Sequence, residues 1–280
     1  MGLLDGKVVI ITGAGGGIGR EHALAMAKEG AKVVVNDLGG ARDGTGGGAA
    51  MADKVVQEVK DAGGEAVANY DSVATMQGGE NLFKTAMDAF GKVDILVNNA
   101  GILRDKTFMK MTEGEWDAVI AVHLKGTFCA TKPVFAHLRE RGEGGRIINT
   151  SSTSGMIGNF GQSNYGAAKA GIAGFTRVLA LEGKKYGITV NSVVPTALTR
   201  MTDDLPGLKG IGDAIGPQCI PPVVVFLASD LAKDITGQFL NIVGKKLSLL
   251  VTVPTAEAES KGDVWTAQEI SEHISKNLKT

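Results

Sequence analysis

Cysteine is scarce in this 280-residue chain: there are two, Cys129 and Cys219, far apart and in no C-x-x-C or Cys/His cluster. That spacing argues against structural zinc, so no metal site is expected. It also favours a reducing compartment, with both cysteines as buried free thiols. An excess of charge of either sign is missing too. A formal net charge of -1 supplies no basic patch for nucleic acid or for an anionic membrane surface. No apolar run approaches the ~18 residues of a membrane span. The N-terminus has no charged n-region or cleavage site, and Gly6 stands where a myristoylation signal wants Ser or Thr. The closing "NLKT" is no peroxisomal or retention address. The expectation is a cytoplasmic protein that binds a small molecule, with neither nucleic acid nor membrane as partner.

Short apolar runs recur between longer helix-like segments. They are 7–11, 32–36, 65–69, 93–97, 145–149, 188–194 and 238–243, several nearly continuous in Val and Ile, as strands covered on both faces should be. Helical patterns fill the intervals at 19–29, 49–62, 74–90, 112–141 and 163–186. Such alternation predicts a doubly wound parallel α/β sheet of about seven strands between two layers of helices. With no repeat and no linker, residues 1–245 read as one domain, followed by a helical extension over 246–280. In that extension Thr266 and Glu269 form a capping box, and Ile270, Ile274 and Leu278 make an apolar stripe. The stripe packs either on its own domain or on a neighbouring subunit. The run Gly39–Gly48 is too glycine-rich to hold structure unaided and reads as a mobile loop.

The first strand ends in Thr12-Gly13-Ala14-Gly15-Gly16-Gly17-Ile18-Gly19 and opens a helix. Glycines there let the backbone turn tightly and approach a pyrophosphate, whose charge would sit at the helix N-terminus. Asp37 ends the second strand, where a carboxylate can accept hydrogen bonds from an adenosine ribose and would repel a 2′-phosphate. NAD is therefore favoured over NADP, which Arg20 and Arg42 keep as a minor alternative.

Ser152, Tyr165 and Lys169 follow the pattern S-x12-Y-x3-K. Tyr165 and Lys169 are four apart and share a helix face. An ammonium beside a phenol favours the phenolate and lowers its pKa, making tyrosine a usable general base. A serine hydroxyl from the preceding loop can hold the exchanging oxygen. That is chemistry for oxidising alcohols or reducing carbonyls.

With the glycine turn, the "NNAG" run at Asn98–Gly101 and the Ser152/Tyr165/Lys169 set in order, the chain resembles the short-chain dehydrogenase/reductases from about Leu4 to Val243. The resemblance implies a Rossmann-type fold, with Gly13, Gly17, Ile18 and Gly19 around the pyrophosphate. Asp71 would meet the adenine amino group, with Ser72 and Val73 beside it. Asn99, Ala100 and Gly101 would line the nicotinamide side, which Pro195 would border. Tyr165 would be the acid/base, Lys169 would lower its pKa and bind the nicotinamide ribose, and Ser152 would orient the substrate oxygen. The family usually carries asparagine where His123 stands, and glycine where Thr196 follows Pro195.

Within that family, "VVVNDLGG", "NNAGILRDKTF", "VHLKGTF" and "GNFGQSNYGAAKAG" resemble the (3R)-hydroxyacyl-CoA dehydrogenase unit of the type 2 peroxisomal multifunctional enzymes and its stand-alone bacterial relatives. In that group histidine at the His123 position is usual. The resemblance implies reversible NAD-dependent oxidation of a secondary alcohol, foremost a (3R)-3-hydroxyacyl-CoA. Alternatives are a steroid, an aromatic or branched acyl-CoA or a cyclic alcohol. A non-catalytic subunit that keeps the fold is a further alternative, against which the retained Tyr165, Lys169 and glycine turn argue. A lid is expected from Thr199–Pro217, with Arg104, Lys106, Arg200 and Lys209 as candidates for the CoA tail. The resemblance also implies a homodimer or homotetramer built on helices 112–141 and 163–186.

Overall fold

The computed structural model describes residues 2–198 and 212–277; residues 199–211 of the expected lid, with Arg200 and Lys209, lie outside them, as does Leu278. Contacts divide the chain into two units, Met1–Leu250 and Val251–Thr280.

The first unit is built on one sheet in the order β3-β2-β1-β4-β5-β6-β7-β8. Its strands are β1 (Val8–Thr12), β2 (Lys32–Asn36), β3 (Glu65–Asn69), β4 (Ile95–Asn98), β5 (Gly145–Thr150), β6 (Ile188–Thr196), β7 (Phe239–Val243) and β8 (Lys246–Leu249). The seven expected strands all form and pair in parallel. The eighth, β8, is antiparallel to β7. Its Leu247 and Leu249 are exposed at the sheet edge, so no buried apolar run announces it.

Alternation along the strands makes two cores. Val9 and Ile11 of β1, Val33 and Val35 of β2, and Ile95 and Val97 of β4 face one side. There they meet Ala23 and Met26 of α1 (Gly17–Lys28), Val55 and Val59 of α2 (Ala50–Asp61) and Leu227 of α8 (Pro221–Ala228). Val8, Ile10, Val34 and Leu96 face the other side. These pack on Leu82 of α3 (Met76–Phe90), Val134 and Leu138 of α5 (Gly126–Arg141) and Ala180 of α7 (Ser163–Gly183). Strands with both faces covered are apolar throughout, which is why they were legible as runs.

The expected single helix 112–141 is divided. A capping box between Thr112 and Glu115 starts α4 (Glu113–Ile120), then a π-helical turn, Ala121–Lys125, leads into α5. A short helix, α6 (Thr153–Met156), follows β5. The Gly39–Gly48 run forms the expected loop, with hydrogen bonds to itself and to the segment after β4. Gly48 N donates to Leu38 O, Ala41 N to Thr45 O, and Thr45 N to Asp43 Oδ1, while Leu103 N donates to Arg42 O at 3.0 Å. Cys129 is buried, but Cys219 is only half-buried.

In the second unit, α9 (Ala267–Asn277) begins at the expected capping box. Thr266 N donates to Glu269 Oε2 at 2.9 Å and Glu269 N to Thr266 Oγ1 at 3.2 Å. Ile270 and Ile274 are exposed.

Candidate active site

The strand order reverses at β1, which has β2 on one side and β4 on the other. Crevices in open α/β sheets form at such a point, beyond the carboxyl ends of the strands. A cavity of about 380 Å³ lies there, lined by Gly13, Gly17, Ile18, Gly19, Asp37, Asp71, Ser72, Val73, Asn99, Ala100, Gly101, His123, Ser152, Tyr165, Lys169 and Pro195. Every residue of the expected catalytic and cofactor-binding set therefore lines one cleft, whereas Arg104 and Lys106, expected for the CoA tail, are not among its lining.

Glycine at two positions of the first loop is a matter of space. A Cβ on Gly13 would stand 2.7 Å from Ala100 Cα, and one on Gly19 would stand 2.1 Å from Gly13 O. Asn99 fastens this contact by donating from Nδ2 to Thr12 O and Gly13 O, each at 3.0 Å. The N-terminus of α1 is left for an anion: Gly16, its N-cap, offers no side chain, and the first turn carries no acid. Free backbone N–H groups and the helix dipole favour a phosphate there. Asp37 accepts from Gly15 N at 2.8 Å and from Gly39 N at 2.7 Å, so its carboxylate stands between the glycine loop and the pinned 39–48 run. Asp71 is fixed by Asn69 Nδ2 and Asn81 Nδ2, both at 2.8 Å. These features fit the adenosine diphosphate part of a dinucleotide.

At the other end, Lys169 is buried and gives Thr150 O a hydrogen bond of 2.6 Å. Its Nζ stands 5.5 Å from the centre of the Tyr165 ring. Burial pushes Lys169 down to about 7. Burial pushes Tyr165 up to about 12, with a hydrogen bond from Ser152 pulling down and the nearby Asp105 adding to the rise. The lowered phenol pKa expected from the sequence is thus not what the residues alone produce. Both groups lie so deep that each is driven toward its neutral form.

His123 lies in the π turn, and its ring meets Tyr165 edge-on at 5.2 Å. Its Nε2 is 3.0 Å from Ile102 N and 2.8 Å from Ile102 O. Burial, helped by the Lys169 charge and opposed by the Ile102 bond, brings its pKa down to about 3, so the ring is neutral. A Cβ on Gly101 would stand 2.3 Å from His123 Cε1, which ties the last glycine of "NNAG" to this histidine.

Sequence reasoning missed Asp105 and Gln162. Gln162, which lines the cleft, donates from Nε2 to Asp105 Oδ2 at 2.7 Å. Its place three residues before Tyr165, near the start of the same helix, was the available signal. It also missed Leu38 and Ala41, which line the cleft from the loop read as mobile, beside Arg42, the residue that kept NADP as an alternative. Arg104 is engaged, its Nε donating to Asp43 O at 2.8 Å, and Lys106 N donates to Gly161 O at 3.0 Å. Among the described residues there is no cluster of His, Cys, Asp and Glu that could hold a metal, and no helix long and apolar enough to cross a membrane.

A family profile described as short chain dehydrogenase matches residues 7–206. A short-chain type dehydrogenase/reductase of Mycobacterium tuberculosis is 54% identical over 239 residues, spanning 85% of this chain and 83% of that protein. Peroxisomal multifunctional enzyme type 2 of Mus musculus is 49% identical over 236 residues, which are 84% of this chain but 31% of the mouse protein. A hydroxyacyl-CoA dehydrogenase of M. tuberculosis is 39% identical over 282 residues, 96% of this chain and 87% of that protein. Among solved structures, a short chain dehydrogenase from Mycobacterium avium superposes with a TM-score of 0.86 at 44% identity, covering 98% of this chain and 95% of that one. A 7α-hydroxysteroid dehydrogenase complexed with NADH gives a TM-score of 0.78 at 32% identity, covering 86% of this chain and 94% of that one.

Proposed function

The chain belongs to the short-chain dehydrogenases, a family of nicotinamide-dependent oxidoreductases, and on that premise we propose that it uses NAD to oxidise a (3R)-3-hydroxyacyl-CoA, reversibly, to the 3-oxoacyl-CoA. The observation that carries this reading is the single cleft joining an uncapped helix N-terminus and Asp37 to the buried Ser152 and Lys169 and the half-buried Tyr165. The hydroxyacyl-CoA dehydrogenase and the multifunctional enzyme among its relatives support the substrate class. Asp37 supports NAD over NADP, because a 2′-phosphate beside its carboxylate is repelled.

When bound, NAD supplies the hydride acceptor and a positive ring charge. Gly13, Gly19 and the first turn of α1 would hold the pyrophosphate, and Asp37 would take the adenosine ribose hydroxyls. Ser152 would donate to the substrate oxygen, and Tyr165, once the nicotinamide charge and the Lys169 ammonium favour its phenolate, would receive the hydroxyl proton. In the reverse direction Tyr165 returns that proton to the nascent alkoxide. Lys169, anchored on Thr150 O, would offset the phenolate when protonated and bind the nicotinamide ribose, and a phenolate beside it favours that protonated form. His123 stacks edge-on against Tyr165 and holds the ring in place. Helices α5 and α7 present exposed Phe128, Val178 and Leu181, which suit a homodimer or homotetramer and are checked by light scattering.

The test is NADH formation over (R)- and (S)-3-hydroxyacyl-CoAs, a hydroxysteroid and free secondary alcohols, with NAD and NADP in parallel. Turnover of the (R)-thioesters with NAD is expected. Turnover of the steroid or free alcohol and of no thioester defeats the substrate assignment. Failure to bind NADH in a fluorescence titration defeats the dehydrogenase reading itself.

A further inference from the structure

Gln162 is not used by the chemistry above, yet both ends of its amide are fixed inside the cleft. Its Oε1 accepts from Ser154 Oγ at 2.7 Å and from Asn159 Nδ2 at 3.1 Å, while Nε2 donates to Asp105 Oδ2 at 2.7 Å. Two donors at the oxygen and an acceptor at the nitrogen decide which way round the amide stands. Its backbone is tied down as well: Gly166 N donates to Gln162 O at 2.7 Å, and the adjoining Gly161 O takes the Lys106 N–H. An amide nitrogen carries two hydrogens, and Asp105 takes one. The other has no acceptor among the described residues, although Gln162 is only 7% exposed and lines the cleft with Ser152, Ser154 and Tyr165.

We propose that Gln162 determines specificity for thioesters, its second Nε2 hydrogen bonding the C1 carbonyl oxygen of a substrate whose C3 oxygen lies between Ser152 and Tyr165. The inference rests on the hydroxyacyl reading above and names the group on the substrate that the cleft distinguishes. A 3-hydroxyacyl thioester has that second oxygen two carbons from the reacting one; a simple secondary alcohol does not. The donor is neutral and the Asp105 carboxylate stands directly behind it, so an uncharged carbonyl is accepted where a free carboxylate or a phosphate is repelled. The two bonds accepted at Oε1 polarise the amide and strengthen its N–H groups as donors. Asp105 is then a positioning residue that acts through Gln162.

The experiment compares kcat/KM for racemic 3-hydroxyhexanoyl-CoA with that for its thioether analogue, in which CH2 replaces the C1 carbonyl, and with free 3-hydroxyhexanoate. The unaltered enzyme is expected to prefer the thioester to the thioether at least tenfold and to turn over the free acid least. Gln162→Met keeps the length of the side chain and removes the donor, and should narrow the thioester-to-thioether preference about tenfold, the worth of one neutral hydrogen bond. Any general damage to the site lowers both rates and leaves that ratio alone. An unchanged ratio in Gln162→Met overturns the assignment. If that variant does not fold, judged by NADH binding, equal turnover of thioester and thioether by the unaltered enzyme overturns it instead. Turnover of free alcohols with no turnover of any thioester removes the hydroxyacyl reading, and this inference with it. Turnover of thioesters with an unmoved ratio removes only the role of Gln162.

Discussion

His22 offers the sharpest quantitative test of the fold. It lies on α1 behind the phosphate loop, is wholly buried, and neither ring nitrogen has a hydrogen-bond partner among the described residues. Burial alone brings its pKa from 6.5 down to about 3. The unfolded chain therefore binds the proton first, and stability is full above pH 6.5 and declines as pH falls toward about 3. At about pH 5 the unfolded imidazole is nearly all protonated and the folded one is not, a difference of about 2 kcal/mol; at about pH 8 the difference vanishes. His22→Leu removes the group that titrates. Urea unfolding followed by circular dichroism, at one protein concentration and at about pH 5 and about pH 8, gives four free energies. Between the two pH values the unaltered protein should lose about 2 kcal/mol more than the variant. Any effect of leucine on packing is common to both conditions and drops out. His123, lowered in the same sense, is present in both proteins and drops out too. Equal losses in the two proteins would refute the argument that an unpartnered, neutral His22 is held in the core.

Gly101→Ala forces a methyl against the His123 ring, so melting should show a loss of about 1–3 kcal/mol together with a fall in kcat. A variant with unaltered Tm would show that the ring moves aside freely. Asp37→Ser removes the acceptor for two backbone N–H groups and the charge beside the ribose pocket; NAD affinity by fluorescence should fall roughly 10- to 100-fold while NADP affinity falls less. Tyr165→Phe should abolish NADH formation while leaving NAD affinity nearly intact, and an active variant removes the proton role assigned to Tyr165. Thr112→Ala breaks the capping box of α4 and should cost about 1 kcal/mol in thermal unfolding with kcat/KM unchanged, since Thr112 lies outside the cleft.

Much of this was legible in the chain because burial on both faces writes strands as runs of Val and Ile, and β1, β2 and β4 are such runs. The glycine turn, Asp37 and the Tyr165/Lys169 spacing were legible because each is a local pattern on one element. What escaped depended on contacts between distant segments. The 39–48 run read as mobile because its own composition is weak, yet its anchors are Leu103 and Arg104, some sixty residues away. β8 escaped because an exposed edge strand needs no apolar run. Gln162 and Asp105 form one unit only after β4 and α7 bring them together. The rise in the Tyr165 pKa escaped because sequence spacing shows the partner Lys169 but not the depth at which both lie.

The π turn at Ala121–Lys125 makes the length of this segment matter as much as its composition. One residue advances an α-helix by about 100°. The extra residue held in the turn sets the phase between α4, whose Val119 is buried, and α5, whose Val134 and Leu138 face the sheet. Removing any one residue from the turn would leave a helix of ordinary pitch with good local propensity. It would also rotate one half against the other, carrying His123 off Gly101 and Tyr165 or turning the α5 apolar stripe away from the sheet. A change in residue number therefore shifts everything beyond it, so the turn works as a counter that keeps cleft and core in step.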